Sequence, residues 1–197
     1  MEKFNIAIFA SGNGSNALKI IRQFRQHDFI RVALVVSNKV EAGVFKHASD
    51  NQIDSLHFSN ATFAENPQAV LGKLLEYKIK LIVLAGFLRR FPDILVSHFF
   101  NRIINIHPAL LPDFGGKGMY GDRVHQAVID ARRTESGITI HYVDGHYDEG
   151  KIIFQARLDV GADETVDTLQ KKIQALEHRW FPEIIETLID KIAEREN

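Results

Sequence analysis

Three stretches of this sequence carry residue types whose spacing could support chemistry. The first is NRIINIHPALLPDF, from Asn101 to Phe114. Ile103, Ile104 and Ile106 are strand formers, and Asn105 and His107 interrupt them at alternate positions. Residues two apart on a strand point to one face, so an amide and an imidazole would stand side by side there. Pro108 and Pro112 then end the strand and stiffen its exit. Both would lie at the carboxyl end of their strand, where open α/β sheets bind ligands. A buried polar pair satisfied by loop carbonyls is the plainer alternative.

The second stretch is SGNGSN, Ser11 to Asn16, between an apolar strand and a helix. Glycines allow positive φ and a close backbone approach, and free N–H groups at a helix start attract anions. A phosphate is the natural guest, with Ser15 and Asn16 adding side-chain donors; a plain helix-capping turn competes with this reading. Gly12, Gly14 and Ala17 formally fit the dinucleotide pattern GxGxxA. The second strand, however, ends in SNK, where that pattern needs an acidic residue for the ribose. The third stretch, DGHYDEGKII, offers Asp144, His146, Asp148 and Glu149 in a turn. For most of these a solvated acidic turn is the ordinary reading, and a metal set that includes His141 lacks a second ligand cluster.

These stretches sit among alternating elements. Strands are expected over residues 4–10, 30–37, 53–58, 79–86 and 102–107. Helices are expected over 17–26, 42–51, 67–78 and 92–100. Short connections and continuously apolar strands argue for a parallel, doubly wound sheet covered on both faces. After Pro112 the texture changes. Residues 113–122 hold four glycines and read as a mobile loop, then a helix over 124–131 and two hairpin-like strands, 137–143 and 151–160. A long amphipathic helix closes the chain from about Glu164, with Pro182 as a candidate break. Trp180 and Phe181 read as core aromatics.

Length and composition bound the rest. A chain of 197 residues, 45% hydrophobic and 25% charged, suits one globular α/β domain. A net charge of −1 predicts no strong attraction to nucleic acid or membrane. No cysteine is present, which excludes disulfides, thiolate metal sites and cysteine catalysis, and permits a reducing cytoplasm. Neither a signal peptide nor a membrane span is expected.

ASGNGSN, VVSN, VLAGFLRRF, INIHPALLP, GITIHYVDGHYDEGKIIFQ and LEHRWFP together resemble the folate-dependent phosphoribosylglycinamide formyltransferases. The pieces occur in that family's order across nearly the whole chain. The resemblance implies a Rossmann-like formyltransferase fold with a mostly parallel doubly wound sheet, a C-terminal antiparallel strand and a long C-terminal helix. It implies a single domain, with residues 1–107 as the phosphate-binding half and 108–197 completing a folate pocket. By the same resemblance His107, Asn105 and Asp148 are catalytic. Gly14, Ser15, Asn16, Gln174 and Glu177 meet the phosphoribosylglycinamide. Leu88, Arg89, Arg90 and Phe91 line the folate pocket together with Asn105, Asp144, Gly145, His146, Tyr147 and Asp148. The co-substrate is 10-formyltetrahydrofolate, no metal takes part, and the partners are small molecules, with a monomer or homodimer in the cytoplasm. Three departures stand out: ATFAENPQ, residues 61–68, lacks the basic residue often found there, the segment before IKLIVLAG is shorter, and the glycine loop is longer than the family's most compact form.

The chemistry implied is formyl transfer to a primary amine. Asn105 and a protonated His107 would stabilise the oxyanion, and Asp148 would raise the proton affinity of His107 and order a water that relays the amine's proton. Without the resemblance, Glu177 and His178 read as ordinary helix-surface residues. Other folate-group enzymes fit less well: a methionyl-tRNA formyltransferase needs a further domain and a basic surface, and a formyltetrahydrofolate hydrolase typically carries an N-terminal regulatory domain. A non-catalytic phosphate-binding module would leave Asn105, His107 and Asp148 without a role, and the SNK strand end disfavours a dehydrogenase.

Overall fold

The computed structural model describes residues 2–196. Its centre is a seven-stranded sheet of order β3-β2-β1-β4-β5-β6-β7. The strands are β1 (Phe4–Phe9), β2 (Ile30–Ser37), β3 (Asp54–His57), β4 (Ile79–Leu84), β5 (Ile103–His107), β6 (Glu135–Tyr142) and β7 (Ile152–Asp159). The first five run parallel, and β6 and β7 are antiparallel additions at one edge. The expected parallel sheet and antiparallel C-terminal pair are therefore both present.

Strand composition explains the layering. Ile6 and Ile8 of β1 face one side, packing with Ile20, Ile21 and Phe24 of α1 (Ser15–Phe24) and with Phe181, Ile185 and Ile189 of α7 (Val166–Glu196). Ala7 and Phe9 face the other, packing with Val70 and Leu74 of α4 (Pro67–Glu76). Both faces are dry, which is why the strands read as unbroken apolar runs. Burial of each large side chain contributes about 1.5–3 kcal/mol. α1 buries Ala17, Ile20, Ile21 and Phe24, the stripe that a 3.6-residue period demands.

The chain turns to opposite sides of the sheet after β1 and after β4, so a crevice opens where those strands end. The SGNGSN turn and the loop after β4 both lie at that switch point. Ser11 Oγ accepts from the Leu88 N–H at 3.1 Å and donates to Asn38 Oδ1 at 2.6 Å. Asn38 Nδ2 in turn donates to Asn60 Oδ1 at 2.8 Å. The tips of β1 and β2 thus brace the loop that follows β4.

The remaining helices are α2 (Val44–Asp50), α3 (Asn60–Glu65), α5 (Asp93–His98) and α6 (Asp122–Asp130). Two elements differ from expectation. α3 occupies a stretch with no expected helix; Ser59 caps it by accepting from the Thr62 N–H at 3.1 Å. α7 is unbroken and passes through Pro182. An interior proline costs about 3 kcal/mol, and fully buried Phe181, Ile185 and Ile189 hold the helix against the sheet across that point.

Candidate active site

β5 ends in the crevice. Its partner β6 places His141 directly across from Asn105, and Thr139 across from His107. Thr139 pins the proline turn that follows: its Oγ1 donates to the Ala109 carbonyl at 2.7 Å and accepts from the Leu111 N–H at 2.9 Å. The tip of β5 is therefore held between β4 and β6 and by the Thr139 bonds to the turn that follows it.

His107 is 3% exposed. Its Nε2 lies 2.9 Å from the Phe114 carbonyl oxygen. A carbonyl only accepts, so Nε2 carries the hydrogen. Nδ1 then faces Asp148 Oδ2 at 3.6 Å. Asp148 also sits 3.5 Å from His141 Nε2 through Oδ1, and Oδ2 accepts from the Gly116 N–H at 2.9 Å. His141 Nδ1 lies 2.8 Å from the Tyr142 carbonyl oxygen, and Asn105 Nδ2 lies 3.1 Å from His141 Nε2. One imidazole donor thus goes to each carbonyl, and His141 Nε2, set between Asn105 and Asp148, accepts from the amide when it carries no hydrogen and donates to the carboxylate when it does. Asp148 holds φ at 58°, a left-handed conformation that an aspartate tolerates better than most residues.

Burial pushes the His107 imidazole below its ordinary value. The Asp148 carboxylate and the Phe114 carbonyl work against that without overcoming it, and His141 adds to the depression. The expected pull of Asp148 on the His107 proton is therefore present, but the expectation of a protonated His107 is corrected: desolvation of the imidazole exceeds the attraction of its carboxylate. Asp148 is itself held low. Burial alone would raise it, but the His141 hydrogen bond, the charge of His107 and the Gly116 N–H outweigh that.

These groups open onto a cleft of about 500 Å³, a size typical of small-molecule sites. Asn16, Leu88, Arg89, Arg90, Phe91, Asn105, His107, Asp144, His146, Tyr147, Asp148, Gln174 and Glu177 all line it. Gly14, Ser15 and Gly145 do not. Gly14 instead sets the helix start: its φ is 74°, and a Cβ there would lie 2.7 Å from the Val44 side chain. Among the described residues no side chain caps α1, so its first-turn N–H groups keep their capacity for an anion. Ser15 Oγ accepts from Gln174 Nε2 at 3.4 Å. The Gly145 carbonyl accepts from Arg90 Nε at 3.0 Å, tying the loop after β4 to the loop before β7. Phe91 is 2% exposed and its ring packs edge-on against Phe9 and Phe87, so it serves the core more than the cleft. Trp180 is partly buried against Phe154 rather than in the cleft.

At the far end of the cleft Asn16 Nδ2 donates to Glu177 Oε2 at 2.9 Å. Glu177 keeps some solvent access, yet burial of its carboxyl pushes it up to about 7, with the Asn16 hydrogen bond opposing. Asn16 Oδ1 is buried with no partner among the described residues. Sequence reasoning missed His141 as a site residue, as well as His125, Lys117 and Gln170, which also line the cleft. The place of His141 depends on the β5·β6 register, which an alternating pattern alone does not fix. Among the described residues, no group of three or more His, Asp or Glu side chains is arranged to hold a metal ion, and no helix is long and apolar enough to cross a membrane.

Comparison with known proteins points to one family. A model of the formyl transferase family matches residues 4–185. A phosphoribosylglycinamide formyltransferase of Bacillus subtilis is 37% identical, with 96% of this chain and 95% of that protein aligned. A chloroplastic phosphoribosylglycinamide formyltransferase of Arabidopsis thaliana is 38% identical over 94% of this chain, which spans 65% of that longer protein. The crystal structure of phosphoribosylglycinamide formyltransferase from Bacillus halodurans superposes with a TM-score of 0.86 at 35% identity, covering 95% of this chain and 96% of that one. With the fold, the crevice and these matches in agreement, the chain belongs to the formyl transferase family, among the phosphoribosylglycinamide formyltransferases.

Proposed function

We propose that this protein transfers the formyl group of 10-formyltetrahydrofolate to the amine of N1-(5-phosphoribosyl)glycinamide, a step of purine biosynthesis. The observation that carries this reading is the meeting of Asn105, His107 and Asp148 at one point of a single cleft, with the uncapped start of α1 beyond its far end. We place the ribonucleotide along Asn16, Gln174 and Glu177, its phosphate toward the N–H groups of Gly14, Ser15 and Asn16. The folate lies along Leu88–Phe91 and Asp144–Asp148. Both partners are small molecules, and the setting is the cytoplasm, which the cysteine-free sequence permits.

In this mechanism the amine attacks the formyl carbon and forms a tetrahedral oxyanion with a positively charged nitrogen. The oxyanion takes a hydrogen bond from Asn105; one such preorganised donor is worth roughly 2.7–4 kcal/mol in the barrier. His107 begins neutral, because burial dominates its protonation. Its Nε2 hydrogen is committed to Phe114, so Nδ1 is the nitrogen that takes the proton from the attacking amine. The resulting imidazolium faces Asp148 Oδ2, which was held ionised for it. That proton then passes to the departing folate nitrogen as its bond to carbon breaks, and the products are the formamide and tetrahydrofolate. His107 ends as it began.

The test is direct. Purified protein mixed with the ribonucleotide and 10-formyltetrahydrofolate is expected to release tetrahydrofolate and the N-formyl product in equal amounts. Binding of the ribonucleotide without turnover would support a non-catalytic binding module in its place.

A further inference from the structure

The loop after the proline turn is anchored at both ends. Gly116 donates to Asp148 at the reacting centre, and Asp122, the first residue of α6, accepts from Gln170 Nε2 of α7 at 2.9 Å. One turn into α6 stands His125. It is 3% exposed, it lines the same cleft, and its Nδ1 is buried with no hydrogen-bond partner among the described residues. Native proteins rarely leave a buried ring nitrogen unpaired, and such an atom beside a cleft calls for a partner that arrives with the ligand. The charges of Asp122, in the same helix, and of His107 both reach His125, which lines the cleft together with His107 and with Gln170 and Gln174 of α7.

We infer that His125 is a binding residue for the acceptor substrate, its Nδ1 hydrogen-bonding the amide of the glycinamide moiety. This rests on the formyl-transfer reading above. The acceptor's amine must reach the carbon beside His107 while its phosphoribosyl group extends toward α7. The amide joining the two is the uncharged polar group that passes His125. Burial pushes the His125 imidazole below its ordinary value, with Asp122 opposing, so at neutral pH it is an uncharged partner suited to an amide rather than to a phosphate. An amide offers both a carbonyl and an N–H, so either imidazole tautomer is served.

The test compares His125→Leu and His125→Phe, which remove the hydrogen bond, with His125→Gln, which can restore one. Each is assayed for steady-state kinetics in both substrates and for thermal melting with and without the ribonucleotide. The apolar variants are expected to raise KM for the ribonucleotide roughly 2- to 13-fold, the equivalent of one neutral hydrogen bond. Their kcat and folate KM should stay unchanged. The free protein should melt no lower than wild type, because an unpaired polar atom has been removed, while the rise in Tm on adding ribonucleotide shrinks. His125→Gln should recover part of both losses. An unchanged ribonucleotide KM overturns the inference. So does a fall in kcat with a shifted pH profile, which would mean His125 acts through His107, and so does a failure of both apolar variants to fold. If wild type binds the ribonucleotide without turnover, the transfer reading fails, and the melting comparison still decides the role of His125.

Discussion

Glu177 gives the protein a pH-dependent weakness whose size can be worked out. Its carboxyl is pushed from 4.5 up to about 7, burial being the larger cause and the Asn16 hydrogen bond opposing it. A raised pKa means that the folded state holds the proton more tightly than the unfolded chain. The stabilising contribution is therefore complete below about pH 4.5 and is lost as pH rises through 7. The full difference between 4.5 and about 7 corresponds to about 3 kcal/mol. Residual solvent access screens part of this, and a loss of about 1–3 kcal/mol is expected. Glu177→Gln keeps an oxygen for Asn16 and cannot ionise. Urea unfolding at pH 5 and pH 8 should show wild type losing that amount relative to the variant, a comparison that cancels the titration of the buried histidines. An equal difference between the two proteins at both pH values would refute the reasoning.

Asp148→Asn should lower kcat about 10²- to 10⁴-fold, because it removes the carboxylate that supports His107 as the general base and acid. It should also move the His107 midpoint to lower pH, because the carboxylate works against desolvation; an upward move in an NMR titration of the imidazole would contradict this. Ser11→Ala should destabilise the fold by about 1–3 kcal/mol, since it strands the Leu88 N–H and Asn38 Oδ1. It should also raise KM for the folate while leaving that for the ribonucleotide alone, and matched increases in both would place the Leu88 loop outside the folate half.

The local pattern of the sequence carried much of this. Alternating Asn105 and His107 on an isoleucine strand signalled a polar tip, and the apolar character of β1, β2 and β4 signalled a sheet covered on both faces. What stayed hidden depended on long-range geometry. His141 gains its place from an antiparallel register, and His125 from the docking of α6 against α7. The net depression of His107 follows from how deeply β5 is buried, a quantity that residue spacing does not contain. Pro182 reads locally as a helix break, yet the buried side chains beside it hold α7 straight through.

Binding and turnover measured together on His107→Ala and Asn105→Ala test the central claim, that these side chains act on one carbon while other residues grip the ribonucleotide. Calorimetry should show both variants binding the ribonucleotide as tightly as wild type, while formyl transfer falls at least 10²-fold. Losses of affinity as large as the losses of rate would contradict it.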